Sequence, residues 1–181
     1  MKALKTLFLA GTLSLLSAPA FSADFQLTSS DISEGQKLSN KQVMNGFGCK
    51  GGNISPALSW SGAPEDTKSF VVTAYDPDAP TGSGFWHWVV ANIPANVTSL
   101  PSGVKAEGLP EEVLQAGADA GPGTYIGACP PPGDMHRYVF TVHALKVDKL
   151  PVDKNASGAL VGFMTGANRL ASAKITAVYW R

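Results

Sequence analysis

Two apolar, β-branched runs, Ser69 to Tyr75 and Trp86 to Ile93, flank the turn-forming segment Asp76-Pro77-Asp78-Ala79-Pro80-Thr81-Gly82-Ser83-Gly84. The first has almost no polar residue, so it reads as a central strand buried on both faces; the second reads as an equally strong strand. Consecutive strands are usually neighbours in a sheet. The turn then brings Asp76 and His87 to one end of that sheet. Alternation along the second strand predicts His87 on the face of Val89 and Ala91, with Trp86, Trp88 and Val90 on the other. Carboxylates and a histidine among aromatics, beside a turn stiffened by prolines, are the makings of a small polar pocket in an apolar wall. The plainer reading is a hairpin whose polar residues cap the turn.

The rest of the chain supports a strand-rich fold. Phe25 to Ser29 alternates as a half-buried first strand. Short strands are predicted over Lys41 to Val43, Ala57 to Trp60 and Val97 to Leu100, and an alternating strand over Arg137 to Leu145. Pro110-Glu111-Glu112 has the proline and acids of a first helical turn. The long loop from Gly103 to Gly123 is of the kind that tends to be functional in a compact domain. One helix is predicted, over 157–171, with Ser157 as N-cap. Its stripe of Leu160, Phe163, Met164, Ala167, Leu170 and Ala171 reads as core packing. Gly158, Gly162 and Gly166 would let it lie close to a sheet. Lys174 to Trp180 closes the chain as a strand. Nineteen glycines and thirteen prolines imply many turns. The expectation is one mostly β domain, a Greek-key β-sandwich of about eight strands with one C-terminal helix.

Residues 1–23 have the form of a signal peptide, with Lys2 and Lys5 before the apolar run Leu7 to Leu16. That run is too short to span a bilayer. Small residues place the cut after Ala20 or Ala23. The mature domain, 24–181, is then expected in the periplasm or outside the cell, without stable membrane insertion. In an oxidising compartment the only two cysteines, Cys49 and Cys129, read as a disulfide closing a loop of about 80 residues. Lys+Arg and Asp+Glu balance at 14 each, and no basic patch stands out, which argues against a nucleic-acid partner.

The polar residues at strand ends and in loops are Asp76, Asp78, His87 and His136. Imidazoles beside a carboxylate can donate to an anion and carry charge near neutral pH. The three consecutive prolines, Pro130 to Pro132, cannot join a central ladder and make a stiff rim. His87, His136 and His143 show no metal-ligand spacing, so no metal or other cofactor is expected. A hydrolase of phosphate or acyl esters with His87 as base is a rival. It lacks the G-x-S-x-G elbow, and Ser55 and Ser83 are nucleophile candidates only by proximity.

Three segments, YDPDAP, GFWHWVVANIP and GACPPPGDMHRYVFTVHAL, resemble the signatures of the phosphatidylethanolamine-binding protein family, also called Raf-kinase-inhibitor-like. NISPALSWSGAPEDTKSF and SGALVGFMTGANRLASAKITAVY are similar to its bacterial YbhB/YbcL branch, and most to the exported YbcL type. The likeness covers essentially all of the chain after the leader. It implies a β-sandwich with an anion pocket at one end. Asp76, His87 and His136 would line the pocket, Pro130 and Pro131 would form a wall, and Tyr125 and Gly127 would lie nearby. Phe85 and Trp86 would flank the opening, and Ala79–Pro80 corresponds to a cis peptide in the family. The resemblance implies a binding rather than an enzymatic role, regulatory or inhibitory, with a small anion or phosphorylated ligand. A protein target such as a protease or kinase, met through the rim 127–136, is an alternative, and homodimers are frequent among such relatives. Bacterial members often have a QGRNDFG-like segment. Here it reads Gln115 to Gly121, QAGADAG, keeping Asp119 but not the Arg and Asn.

Overall fold

The apolar runs that flank the Asp-Pro-Asp turn pair with each other near the centre of a five-stranded antiparallel sheet. The computed structural model describes residues 24–181. The predicted leader, 1–23, lies outside the described residues. In chain order the elements are β1 (Gln26–Thr28), β2 (Asn45–Gly46), β3 (Cys49–Lys50), β4 (Leu58–Ser61), β5 (Ser69–Asp76), β6 (Phe85–Pro94), β7 (Ser99–Leu100), β8 (Leu114–Gln115), β9 (Gly117–Ala118), β10 (Gly121–Pro122), β11 (His136–Leu145), α1 (Gly158–Asn168) and β12 (Arg169–Tyr179). The large sheet has the order β12-β11-β5-β6-β8, and a smaller one the order β1-β4-β7. The neighbours β5 and β11, like β1 and β4, are far apart in the chain, so long connections cross between the sheets. β2 with β3 and β9 with β10 form short ribbons.

Two apolar layers hold these parts together. Leu27, Leu58, Trp60 and Leu100 of the small sheet meet Phe70, Val72, Ala74, Trp88, Val90, Phe140 and Val142 of the large one. Trp60 stands edge-on to Phe70 with centroids 5.4 Å apart. On its other face the large sheet packs Val71, Val89, Ala91 and Leu145 against Val161 of α1 and the Leu150–Ala156 segment. Val71 and Val72, on opposite faces of β5, are both fully buried. Each such side chain contributes about 1.5–3 kcal/mol relative to exposure. That double burial is why Ser69 to Tyr75 has no polar alternation. Among the described residues the fold is mostly β with one α-helix, as the sequence predicts.

Three local expectations are corrected. Lys41 to Val43 is not a strand, because Ser39 accepts from the Lys41 N–H and caps a 3-10 turn over Asn40–Gln42. Pro110-Glu111-Glu112 starts no helix. The Val113 N–H bonds back to the Pro110 carbonyl, closing a single turn before β8, and a 3-10 turn lies earlier, at Ala106–Gly108. The helix stops at Asn168, so Leu170 and Ala171 belong to β12, where Ala171 pairs with Ala144.

The helix also faces the other way from its apolar stripe. Its buried residues are Gly158, Val161 and Thr165, whereas Leu160 and Phe163 are 45% and 74% exposed. The cause is Trp86. A Cβ added at Gly158 would lie 2.4 Å from the Trp86 ring, and one at Gly162 would lie 3.5 Å from it. The indole occupies the place of helix side chains, so the glycine face turns inward. Gly158→Ala should therefore destabilise the protein by about 1–3 kcal/mol through overpacking. Gly166→Ala, with nothing within 4 Å of the added carbon, should stabilise it by about 0.5–1 kcal/mol through helix propensity. Urea unfolding of the two variants checks this. A stabilised Gly158→Ala would show that the helix can lift from Trp86 at no cost.

Candidate functional site

The pairing of β5 with β6 loses step beside the turn. Ala74 is opposite Trp88 and Tyr75 is opposite Trp86, so His87 is an extra residue with no partner of its own. A bulge of this kind re-aims side chains. Trp86 stays on the helix side, packed on Gly158 and 4.7 Å from the Tyr75 ring. His87 turns to the opposite side from Val89 and Ala91, with its ring edge-on to Tyr138 at 5.1 Å. The strict alternation expected from the sequence fails here for that reason.

The turned imidazole meets a buried carboxylate. Asp76, His87 and His136 are only 2%, 6% and 5% exposed. His136 donates from Nδ1 to Asp76 Oδ2 at 2.7 Å. The Asp78 N–H donates to Asp76 Oδ1 at 2.8 Å. His87 Nδ1 lies 2.8 Å from the Ile126 carbonyl oxygen, which can only accept, so Nδ1 carries the proton. His87 Nε2 then points a lone pair toward the site, 4.0 Å from Asp76 Oδ2. Burial pushes the His87 pKa down, outweighing the Ile126 carbonyl and the charges of Asp76 and Asp119. Beside the triad, Asp78 takes a bidentate grip from Arg137, Nε at 2.9 Å and an Nη at 2.7 Å, and the Arg137 N–H at 2.8 Å. Those bonds hold the Asp78 carboxyl down at about 2.

Asp76, His87 and His136 form the buried end of a cavity of about 250 Å³. Phe85, Gly127, Pro130 and Pro131 line it, as does Cys129, whose disulfide to Cys49 joins Cα atoms 6.0 Å apart. Gly127 is required there, because a Cβ would sit 2.3 Å from the Met44 nitrogen. Trp86 and Tyr125 lie outside the lining. Trp86 is drawn away by the bulge, and Tyr125 is buried with its hydroxyl donating to the Gln42 carbonyl at 3.0 Å. The Ala79–Pro80 bond is trans. The two forms of an X-Pro bond differ by only about 0.5–1 kcal/mol, and the turn is closed instead by the Thr81 N–H on the Ala79 carbonyl.

Other lining residues were not singled out from the sequence, chiefly Tyr138, Met44, Phe47, Thr81, Ala120 and Ile126. Tyr138 was within reach of it, two places after His136 on the same strand face. Asp119, the residue kept in the divergent loop, accepts from the Trp86 N–H at 2.9 Å and donates its own N–H to the Trp86 carbonyl at 3.0 Å. It thereby pins the bulged end of β6. Ser55 is buried without a partner for its hydroxyl and does not line the cavity; nor does Ser83. Among the described residues no group of three or more His, Cys, Asp or Glu side chains is arranged to hold a metal ion. Nor is any helix there long and apolar enough to cross a membrane.

A family model described as phosphatidylethanolamine-binding protein matches residues 28–180. The chain belongs to the phosphatidylethanolamine-binding protein family. It is 54% identical to the UPF0098 protein YbcL of Escherichia coli (strain K12), over 97% of this chain and 98% of that one. It is 53% identical to YbhB of the same organism, over 85% and 99%. The crystal structure of E. coli YbcL, described there as a new member of the mammalian family, superposes with a TM-score of 0.85 at 56% identity, covering 88% of this chain and 99% of that one. A homologue from Chlamydia trachomatis gives a TM-score of 0.73 at 30% identity, over 87% and 97%. This member of the family thus carries its two buried histidines and Asp76 on a fold shared with those relatives.

Two predictions follow the site's chemistry. His87 and His143 both hold lowered pKa values in the fold; burial, reinforced by Arg169, takes His143 down to about 4. The unfolded chain protonates them near pH 6.5, so stability is full above that value and falls as pH drops toward 4, by at most about 1.4 kcal/mol per pH unit for each group. Asp78 loses its stabilisation only below this window. Urea midpoints measured from pH 7 to 4 should decline, and His143→Gln should shallow the slope; an unchanged slope would clear His143. For the disulfide, titration of the denatured, unreduced protein should detect no free thiol, and reduction should lower stability by about 2–4 kcal/mol.

Proposed function

We propose that this member of the family is an exported binding protein for small anions or phosphate groups, with a regulatory or inhibitory rather than catalytic role. The observation that supports it is the convergence of His87 and His136 on one buried carboxylate, Asp76, at the closed end of a cavity with otherwise mainly apolar walls. With its Nδ1 proton committed to the Ile126 carbonyl, a neutral His87 presents only a lone pair from Nε2. Protonation turns that Nε2 into a charged donor beside Asp76, and a charge-assisted bond to an oxyanion becomes available. Anion binding is therefore coupled to proton uptake.

The hydrolase reading gains nothing from the geometry, since neither serine singled out beside the motifs reaches the cavity. The rim Gly127 to His136 borders the same cavity, so an inhibitory contact with a protein would sit over the anion site rather than apart from it.

Calorimetric titration with phosphate, phosphoethanolamine and acetate tests the proposal. Phosphate-type ligands should bind, more tightly at pH 6 than at pH 8. Buffers of different ionisation enthalpy should report protons taken up. His87→Ala should weaken binding by roughly tenfold or more while circular dichroism shows an intact fold. Absence of binding at millimolar phosphate across this pH range would overturn the anion reading.

A further inference from the structure

The mouth of the cavity contains a residue whose placement the fold does not explain. Gly46 pairs with Cys49 across the β2–β3 ribbon, so Phe47 and Gly48 form its two-residue turn. Their φ angles, 49° and 83°, are both positive, as a type I′ turn demands. Glycine, asparagine or aspartate suits the first of these positions, and phenylalanine is a poor choice there. The ring is 80% exposed, so it contributes almost nothing to the core. It nonetheless lines the cavity.

Several fastenings hold the turn there. The Cys49–Cys129 disulfide ties its second strand to the cavity wall. The Arg181 guanidinium donates to the Pro130 carbonyl at 2.7 Å and to the Phe47 carbonyl at 3.4 Å, strapping the turn to the proline rim. An aromatic ring in an unfavourable backbone region, exposed, and tied to the mouth of a cavity is an outlier of the kind that marks function.

The lining adds a second observation. The carboxylate and imidazole side chains of the lining are confined to the buried end, at Asp76, His87 and His136. The walls outward of them are largely apolar, with Phe85, Pro130 and Pro131 among them. An inorganic oxyanion can satisfy the buried end but is too small to fill about 250 Å³.

We propose that Phe47 is a specificity-determining residue, and that the site takes an anion carrying a planar apolar arm, the anionic group on the histidines and the arm against Phe47. The inference rests on the anion reading above. The ring would supply a rigid apolar face at little ordering cost, because the turn is already fixed on both sides.

The test compares inorganic phosphate with phenyl phosphate by calorimetry, on the purified protein and on Phe47→Asn. Asparagine suits the left-handed position, so the variant should unfold at the same temperature or higher. The unaltered protein should bind phenyl phosphate about tenfold more tightly than phosphate. Phe47→Asn should keep its phosphate affinity and lose most of that preference. Phosphate binding with no preference for the phenyl ester, or a preference that survives in Phe47→Asn, would overturn the role of Phe47 and leave the anion site standing. Binding of neither compound would overturn both.

Discussion

Where β6 runs past β5, His87 is inserted opposite no partner, and the strand's two faces exchange occupants at that point. A regular strand would send His87 toward the helix and Trp86 into the sandwich. The bulge does the reverse, and both results matter. His87 comes within 4.0 Å of Asp76, and Trp86 becomes the surface on which α1 lies. Asp119 holds the displaced segment from outside through the two main-chain groups of Trp86. The site and the helix packing are thus consequences of one inserted residue. A change at Trp86 or Gly158 would be felt at His87 through the backbone rather than through any contact with a ligand.

Asp76 carries the second constraint. A carboxylate this deeply buried is costly unless its oxygens are satisfied. Here Oδ2 accepts from His136 at the start of β11, and Oδ1 accepts from the Asp78 N–H in the turn. The same turn reaches β11 again through the paired Asp78 and Arg137. The end of β5, the turn and the start of β11 are locked into one polar unit, although sixty residues separate Asp76 from His136. The exposed Asp78–Arg137 pair fixes the geometry, and the buried Asp76–His136 pair holds the chemistry.

How much of this was legible depended on whether a signal was local. β5 and β6 were readable because burial on both faces removes polar residues from the sequence itself. The triad Asp76, His87 and His136 and the Pro130–Pro131 wall were readable from motif likeness, and the cavity lining includes all five. The face of His87 was not, because a bulge is a property of two strands in register and leaves no periodic trace in one. The inward face of α1 is hidden from the sequence for a related reason. Large apolar residues at helical spacing normally mark the buried side, but Trp86 on the sheet fills that space and selects glycine. The capped turn at Ser39 and the closed turn at Pro110 overrode weak local propensities through single hydrogen bonds. Phe47 was invisible as a site residue because it stands in a glycine-rich loop with no pattern around it.

The walls of the cavity show what the covalent and backbone constraints accomplish together. Pro130 and Pro131 have restricted backbones, Gly127 permits main-chain contact with Met44, and Cys129 is tied to the ribbon that carries Phe47. Arg181 bridges that ribbon to the rim. None of these depends on a ligand to form. A small ligand offers few contacts with which to offset the ordering of loops, so a pocket assembled beforehand suits the proposed anion. At the buried end the Nδ1 atoms of both histidines are engaged, His87 with the Ile126 carbonyl and His136 with Asp76, so each ring is held in one orientation. The walls and the polar end of the pocket are thus both fixed by the chain itself, through hydrogen bonds, prolines and one disulfide.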